Sequence, residues 1–253
     1  VAALLHNVYY QESTTKLVEP RFGRLVTSIL EGMAKINTMG TDTVELHSEN
    51  YRKLMLAMAG DVRVILVKIA DRLQVMRNLD SQPESVITKI SIETSFLYAP
   101  LAHRLGLYYI NSELLDLCLK YQNPVAYNAV SLRLKETDRE RANFVAEFVK
   151  PIEEKLNARG FSFDMKARTK SINSIWRKMQ TQKVEFDEVM DLFAIRVILN
   201  AELANEKSDC WQVYSIVTEE YQTNPKRMRD WITIPKSNGY ESLHANVLGP
   251  HGK

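Results

Sequence analysis

Apolar positions at helical spacing dominate the first half of the chain. Over residues 51–76 they recur every three or four residues, and the opposite side of the same segment is apolar too. A helix that is apolar all round is normally central in a bundle. A second helical segment covers residues 91–121 and is interrupted near Gly106. The pattern predicts an all-α helical domain over residues 1–131.

One carboxylate interrupts the apolar pattern of this domain. Asp71 projects on the second apolar face, near Val64, Val67 and Val75. A carboxylate buried there needs a metal, a cation or several hydrogen bonds as its partner.

A charged segment follows the break at Asn123-Pro124. It predicts a connecting helix over residues 132–159, with Pro151 as a kink or restart and Gly160 as the terminator.

The periodicity changes after Gly160. Residues 161–166 alternate apolar and polar side chains, which is typical of a half-buried strand. The pattern then predicts helices at 172–179 and 211–221 and strands at 192–199, 231–234 and 243–248. This alternation predicts an α/β domain with a mixed sheet over residues 160–253, cut short at its C-terminal end.

Length, charge and cysteine content exclude several classes of protein. The chain has 253 residues, enough for two domains, and a net charge of +2, too small to argue for nucleic-acid or membrane binding. Two isolated cysteines form no disulfide framework and fit a reducing, cytoplasmic setting. No apolar run reaches the roughly 18 residues of a membrane span. Both ends read as cut, so we expect a fragment of a longer protein.

A cationic stripe marks the first candidate site. Lys170, Ser174 and Lys178 follow one another at intervals of four residues around a helix that comes after a strand. A hydroxyl between two ammonium groups suits a polyphosphate, and a helix N-terminus favours anions. Arg168 can stack its planar guanidinium on a base. The alternative is a solvated helix face.

Asp191 lies just before the second strand of this domain. It is either a turn or cap carboxylate, or a Mg²⁺ ligand that acts together with substrate phosphates. Strict alternation places Arg196 on the other face of the strand. The two reach one site only if Asp191 precedes the regular strand or the strand is kinked there.

The segment 227–244 is the second candidate site. After basic residues and a short apolar run, it places an aromatic at the head of a polar face, following the Asn238-Gly239 turn. By parity this face carries Tyr240, Ser242, His244 and Asn246. Tyr240 is either a core aromatic that closes the turn or part of a ligand wall. Because its neighbours on this face are polar, we favour the ligand wall, in which His244 contacts phosphate.

These motifs together resemble the RelA/SpoT homologue family, whose long-form enzymes make or degrade (p)ppGpp. RTKSINSIWRKM is similar to the family's R-x-K-x-x-x-S-x-x-x-K-M segment, DLFAIRV to its D-x-x-x-x-R strand, and IPKSNGYESLH to its P-K-x-N-G-Y-x-S-x-H signature. The resemblance covers essentially the whole chain. It implies an HD-type helical bundle followed by a nucleotidyltransferase-like α/β synthetase domain.

The resemblance also implies an activity and its residues. A synthetase of the stringent response moves the β,γ-pyrophosphoryl group of ATP to the 3′-hydroxyl of GDP or GTP, with Mg²⁺ bound by Asp191. Adenine would lie between Arg168 and Arg196, and the catalytic set would be Asp191, Lys178 and His244. The phosphates of ATP would be held by Lys170, Ser174 and Lys178. The acceptor nucleotide would be bound by Arg227, Arg229, Lys236, Asn238, Tyr240 and His244.

Two features qualify this synthetase prediction. The family's general-base Glu belongs to an E-x-Q-x-R strand after the G-P-x-G turn, and this chain ends at Lys253; Glu241 stands where the family usually has Gln. The RMRD segment resembles the family's R-x-K-D variant, which on family analogy favours GDP over GTP.

The helical half resembles an HD hydrolase without its chemistry. LLHNVYYQES stands where the family has L-L-H-D-x-x-E-D-T, so His6 matches while Asn7, Tyr10 and Gln11 replace acidic residues. Asp71 matches the later metal ligand. We expect a degenerate hydrolase site in which His6 and Asp71 satisfy each other, and no degradation of ppGpp.

Two rival functions stay open from the sequence. One is a bifunctional enzyme whose hydrolase survives, and the other is a guanine-nucleotide sensor without turnover. In the leading interpretation the helical half biases the synthetase half through the connecting helix. Partners are ATP and GDP or GTP, with ribosome or tRNA contacts only through regions outside this sequence and no membrane contact.

Overall fold

The computed structural model of the chain describes residues 1–5, 12–37, 61–189, 192–236 and 239–250. The chain divides into two compact units. The first consists of Val1–Val130 with Ser171–Lys183, and the second of Ser131–Lys170 with Val184–Lys253. Among the described residues, no helix combines the length and the apolar character that a membrane crossing requires.

Helices make up most of the described chain. In chain order they are α1 Ala2–Leu5, α2 Glu12–Phe22, α3 Arg24–Asn37, α4 Val62–Arg77, α5 Glu84–Glu93, α6 Ala99–Arg104, α7 Tyr108–Gln122, α8 Pro124–Glu136, α9 Asp138–Ala158, α10 Ile172–Gln182 and α11 Glu206–Glu220. A π-helical turn at Thr94–Tyr98 joins α5 to α6. The expected interruption at Gly106 is confirmed, since this residue separates α6 from α7 with a φ of 74°.

Four strands form two separate antiparallel ladders. They are β1 Phe163–Thr169, β2 Phe193–Leu199, β3 Arg229–Asp230 and β4 Leu243–His244. β1 pairs with β2 and β3 pairs with β4. The sequence predicted a mixed sheet, whereas every ladder between the described strands is antiparallel.

The start and the burial of α4 differ from the sequence prediction. The Asp61 carboxylate accepts the N–H of Arg63 at 2.9 Å and caps the helix, which begins at Val62; residues 51–60 of the predicted segment lie outside the described residues. The core of the first unit takes one side of α4, with Ile65 and Ile69 fully buried. The expectation that this helix is buried all round is wrong, because the exposed fraction is 43% for Val62, 40% for Leu66 and 37% for Val75.

A glycine sets how closely α3 approaches α4. A Cβ atom added to Gly32 would lie 2.7 Å from Cγ2 of Val64, which is 2% exposed. That distance is far inside van der Waals contact, so only glycine permits this packing.

The predicted connecting helix over 132–159 is two helices. α8 begins at Pro124 and α9 begins after Thr137, whose hydroxyl donates to the carbonyl of Arg133 at 2.8 Å. Local bonds of this kind compete with the helical ladder. Pro151 lies inside α9 without ending it.

The second unit has its own small core. Phe148, Ile152 and Leu156 of α9 meet Val213 and Ile216 of α11. Apolar side chains from one face of the β1–β2 ladder pack against this cluster.

Two predicted strands near the end of the chain are corrected. Residues 231–234 form a turn, because the Asp230 carboxylate accepts the N–H groups of Ile232 and Thr233 at 2.9 and 2.8 Å. The strand predicted at 243–248 is reduced to Leu243–His244, after which Val247 makes an isolated bridge with Thr223.

The predicted division of the chain into domains at residues 1–131, 132–159 and 160–253 stays a prediction. The compact units group α10 with the helical first unit, although its sequence lies inside the range 160–253. The physical reason is a set of contacts between α10 and α7, described below.

Candidate functional site

The face of the β1–β2 ladder that points away from the core is cationic. The register places Lys166 opposite Arg196 and Arg168 opposite Ala194. Side chains alternate between faces along a strand, so Arg168 and Arg196 share one face as diagonal neighbours, with the separation of roughly 7–8 Å that such pairs show. All three cationic side chains are exposed. Two guanidinium planes on one face can flank an aromatic base.

A closed loop follows β3. The N–H of Trp231 donates to the carbonyl of Ser242 at 3.0 Å, which ties the two sides of the loop together. Inside it, the N–H of Lys236 donates to the carbonyl of Tyr240 and the N–H of Gly239 to the carbonyl of Lys236. Gly239 has a φ of 76°, the left-handed region that favours glycine. The loop therefore fixes the backbone positions from which Lys236 and Tyr240 project.

His244 lies within reach of several of the predicted nucleotide-binding residues. Its Nε2 atom and the Tyr240 hydroxyl are 2.8 Å apart, and the two rings meet edge to face. Arg229 is its partner in the β3–β4 register. Partial desolvation of the imidazole lowers the pKa of His244, and the positive charges of Lys236 and Arg196 lower it further. Two cations, Lys236 and Arg196, thus act on one imidazole.

Two aromatic rings hold the ammonium group of Lys236. Its Nζ atom lies 4.8 Å from the ring centre of Trp231 and 5.2 Å from that of Tyr240. Contacts of this length are cation–π interactions. The arrangement keeps a positive charge beside the ring of Tyr240, which the family resemblance assigns to acceptor binding.

The N-terminus of α10 is already occupied by protein groups. The carboxylate of Asp116, on α7, accepts the N–H of Asn173 at 2.7 Å and the N–H of Ile172 at 3.3 Å. The Ser171 hydroxyl accepts the N–H of Ser174 at 3.3 Å. The sequence analysis counted on the N-terminus of this helix to favour an anion; three of its N–H groups have partners within the protein instead.

Side chains along α10 and α7 line an open groove of about 390 Å³ in the first unit. The wall of the groove comes from two helices. From α10 it includes the cations Arg177 and Lys178 and the amide or hydroxyl side chains of Asn173, Ser174, Thr181 and Gln182. From α7 it includes Asn111 and Leu115. Among these lining residues there is no carboxylate. The structure thus brings two of the predicted phosphate-binding residues, Ser174 and Lys178, to one groove.

For the remaining predicted residues, the structure gives the backbone position of Lys170 and Arg227, while two others lie outside the described residues. The backbone N–H of Lys170 donates to the carbonyl of Leu192 at 2.8 Å, which extends the β1–β2 ladder by one bond. Arg227 ends an exposed 3₁₀ turn at Pro225–Arg227. Asp191 and Asn238 lie outside the described residues, so their predicted roles stay predictions.

The candidate metal ligand of the helical unit has a cationic neighbour. The Lys68 ammonium lies 3.2 Å from the Asp71 carboxylate, and Lys68 is only 7% exposed. His6, Asn7, Tyr10 and Gln11 lie outside the described residues, so the predicted contact between His6 and Asp71 stays a prediction. Within the described ranges, no three side chains of His, Cys, Asp or Glu are grouped as a metal site requires.

Two residues of these sites were not found by sequence reasoning. Asp116 is one of several polar residues on α7, and no local pattern connects it with α10. Trp231 was assigned to a strand, although its position directly after Arg229-Asp230 and before the Pro-Lys turn is a signal that it borders the site.

Comparison with known proteins covers both halves of the chain. A family model described as HD domain matches residues 1–108, and one described as a region found in RelA / SpoT proteins matches residues 167–253. The chain is 36% identical to the bifunctional (p)ppGpp synthase/hydrolase SpoT of Escherichia coli strain K12, over 100% of the chain and 36% of that protein.

Two further relatives carry different names. A GTP pyrophosphokinase of Myxococcus xanthus is 35% identical over 99% of the chain and 33% of its own length. A guanosine-3′,5′-bis(diphosphate) 3′-pyrophosphohydrolase of Aquifex aeolicus is 36% identical over 100% of the chain and 36% of its own length. The chain thus spans about a third of the length of these curated relatives. With an HD region and a RelA/SpoT region in this order and relatives aligned along its whole length, the chain belongs to the RelA/SpoT family.

Proposed function

We propose that this chain is the nucleotide-binding part of a (p)ppGpp synthetase, which transfers the pyrophosphoryl group of ATP to the 3′-hydroxyl of GDP or GTP. The observation that carries the proposal is the cluster of Arg196, Lys236, Tyr240 and His244 in the second unit. Its positive charges and aromatic ring match a phosphorylated base. Positioning and electrostatic stabilisation are the main catalytic levers in phosphoryl-type transfer.

The acceptor nucleotide is assigned to the loop after β3. Tyr240 stacks on guanine, while Lys236, Asn238 and His244 contact the nucleotide. Arg227 and Arg229 precede this loop and add positive charge for the phosphates, with a preference for GDP over GTP. The neutral imidazole of His244 can accept a proton from a bound phosphate group or donate a hydrogen bond to it.

The donor nucleotide is assigned to the cationic residues upstream. Arg168 and Arg196 flank adenine on the exposed face of the β1–β2 ladder, and Lys170, Ser174 and Lys178 bind the phosphates of ATP. Since protein groups occupy the first N–H groups of α10, Ser174 and Lys178 act through their side chains rather than with the helix end.

Mg²⁺ is the proposed cofactor, with Asp191 as its protein ligand. One carboxylate together with substrate phosphates is a usual donor set for this ion. When bound, the ion neutralises charge on the transferring phosphates. The catalytic set is then Asp191, Lys178 and His244.

The helical unit is proposed to be a degenerate hydrolase domain of a cytoplasmic enzyme. Asn7 lacks the anionic oxygen that a hard divalent ion prefers, and Tyr10 and Gln11 replace an acidic pair. The second candidate function is a bifunctional synthetase/hydrolase, because the relatives' names include both activities. Any contact with the ribosome or tRNA is assigned to regions outside this sequence.

Calorimetry tests the proposal directly. We expect the chain to bind a non-hydrolysable ATP analogue and GDP, with the analogue bound more tightly when Mg²⁺ is present. Tyr240→Ala should lower the affinity for GDP by about 10-fold or more, the loss typical of one base-stacking contact. Tyr109→Ala is the matched control, since this tyrosine is 78% exposed on α7. Absence of GDP binding to the unaltered chain, or equal loss in both variants, would refute the proposal.

A further inference from the structure

The contact between α7 and α10 joins the helical core to a proposed donor-site element. Asp116 reaches from α7 to the first turn of α10 and accepts two backbone N–H groups there, at 2.7 and 3.3 Å. A carboxylate at this position satisfies the orphan donors of the helix and interacts favourably with its dipole. The bond is made by an element 56 residues away in sequence, so it fixes α10 against its neighbour rather than only capping it locally.

α7 is a rigid support for this contact. Leu114 is fully buried, and Leu119 is 4% exposed, in the core of the first unit. The Asp116 carboxyl is half-buried, and burial raises its pKa, while the N–H groups of Asn173 and Ile172 and the Ser171 hydroxyl act in the opposite direction. Glu113 is the nearby charged group on the same helix that adds to the raised pKa. Asp116 is thus held by defined partners.

Ser174 lies in the capped turn and Lys178 one turn further along the same helix. Both line the groove between α10 and α7, and Ser174 is one residue beyond the N–H that Asp116 accepts most closely. A helix end fixed by two bonds leaves little freedom for rotation or sliding of the next turn. Displacements of about 1 Å in a phosphate-binding group are enough to weaken binding and slow transfer.

We propose that Asp116 is a positioning residue for the donor nucleotide: it sets the rotation and axial position of α10, and thereby the positions of Ser174 and Lys178. This inference rests on the proposed function, because it assumes that those two side chains bind the phosphates of ATP. It assigns part of the donor site's geometry to the helical unit and gives that unit a physical route for controlling donor binding.

Binding measurements on the full chain test this role. We expect Asp116→Ala to weaken a non-hydrolysable ATP analogue with Mg²⁺ by about fivefold, the ratio corresponding to one lost helix cap. GDP binding should change less than twofold. Asp116→Asn keeps one acceptor oxygen for Asn173 and removes the cost of burying a charge, so it should retain intermediate affinity without loss of thermal stability.

Lys120→Ala is the matched control on the same helix. It removes an ion pair between Lys120 and Asp80 and touches no residue of α10 in the described contacts, so the affinity for the ATP analogue should be unchanged. The inference is overturned if the Asp116→Ala and Asp116→Asn variants bind the analogue as the unaltered chain does. If Asp116→Ala does not fold, Asp116→Asn alone decides between the two outcomes. Failure of the unaltered chain to bind the analogue would instead refute the proposed function.

Discussion

The chemistry of individual residues in the second unit is set by their neighbours more than by their own type. His244 is a common residue, but partial desolvation and two nearby cations favour its neutral form. Lys236 is an ordinary lysine in sequence, yet two aromatic rings define where its ammonium lies. Both effects depend on the loop that brings Trp231 and Ser242 together. At this scale, the positive charges of Lys236 and Arg196 already favour an anion in the unliganded candidate site.

Binding of GDP should take up a proton at His244. The groups that face this imidazole are Tyr240, Lys236, Arg196 and, across the ladder, Arg229. Its pKa is lowered in the unliganded protein, and phosphate oxygens would raise it again. Between those two pKa values, affinity for GDP should rise as pH falls. Calorimetry in two buffers of different ionisation enthalpy should report up to about one proton taken up per GDP.

The variant His244→Gln provides the control for this proton. It keeps hydrogen-bonding capacity but cannot titrate, so proton uptake and the pH dependence of GDP affinity should both disappear. Equal proton uptake by the variant would show that another group is responsible.

Trp231 should contribute to acceptor binding through Lys236. Trp231→Phe keeps an aromatic face for the ammonium, whereas Trp231→Leu keeps apolar volume without one. We expect Trp231→Leu to weaken GDP about two- to fivefold, the value of an exposed cation–π contact, and Trp231→Phe to stay closer to the unaltered chain. Fluorescence-detected GDP titrations would measure this. If both variants lose the same affinity, packing rather than the cation–π contact is the cause.

At the scale of elements, single polar side chains set the bounds of helices and strands that hydrophobic periodicity alone does not predict. The alternation at β1, the branched residues of β2 and the break before Pro124 were all read correctly from the sequence. The segment 231–234 is apolar enough for a strand, but the Asp230 carboxylate bonds its backbone into a turn. The Thr137 hydroxyl likewise marks the place where one predicted helix is two. Such bonds have no periodic signature.

The close approach of α3 and α4 gives a prediction for one element pair. Gly32→Ala should lower the free energy of unfolding by about 1–2 kcal/mol, because the clash with Val64 exceeds the gain in helix propensity. Denaturant titration would measure it. Glu31→Ala, on the exposed side of α3, should change stability by less than about 0.5 kcal/mol.

A double-mutant cycle identifies the clash as the cause. In Gly32→Ala combined with Val64→Ala, the new methyl group has space, so the two changes together should cost less than the sum of the single changes. Additive costs would mean that the loss of stability has a cause other than the contact between residue 32 and Val64.

At the scale of the whole molecule, sequence order and spatial grouping differ. The sequence pointed to the motifs of both proposed nucleotide sites, and Arg168 with Arg196, and Tyr240 with His244, are neighbours within the second unit. It did not show that α10 groups with the helical unit, because that depends on the long-range contact from Asp116. Local sequence patterns carry no information about such contacts, so the assignment of α10 to the first unit could not be predicted.

The departures of Asn7, Tyr10 and Gln11 from the family's hydrolase pattern lead to a prediction for the whole protein. A version extended upstream of Val1 should release no pyrophosphate from ppGpp in the presence of Mn²⁺, because Asn7, Tyr10 and Gln11 supply no anionic oxygen where the family pattern has three carboxylates. A release assay by chromatography would measure this. Restoring the pattern with Asn7→Asp, Tyr10→Glu and Gln11→Asp together tests whether these positions are the cause, since the restored protein should bind Mn²⁺ more tightly than the unaltered one. Mn²⁺-dependent hydrolysis by the unaltered protein would instead establish the bifunctional alternative, with Asp71 released from Lys68 to bind the metal.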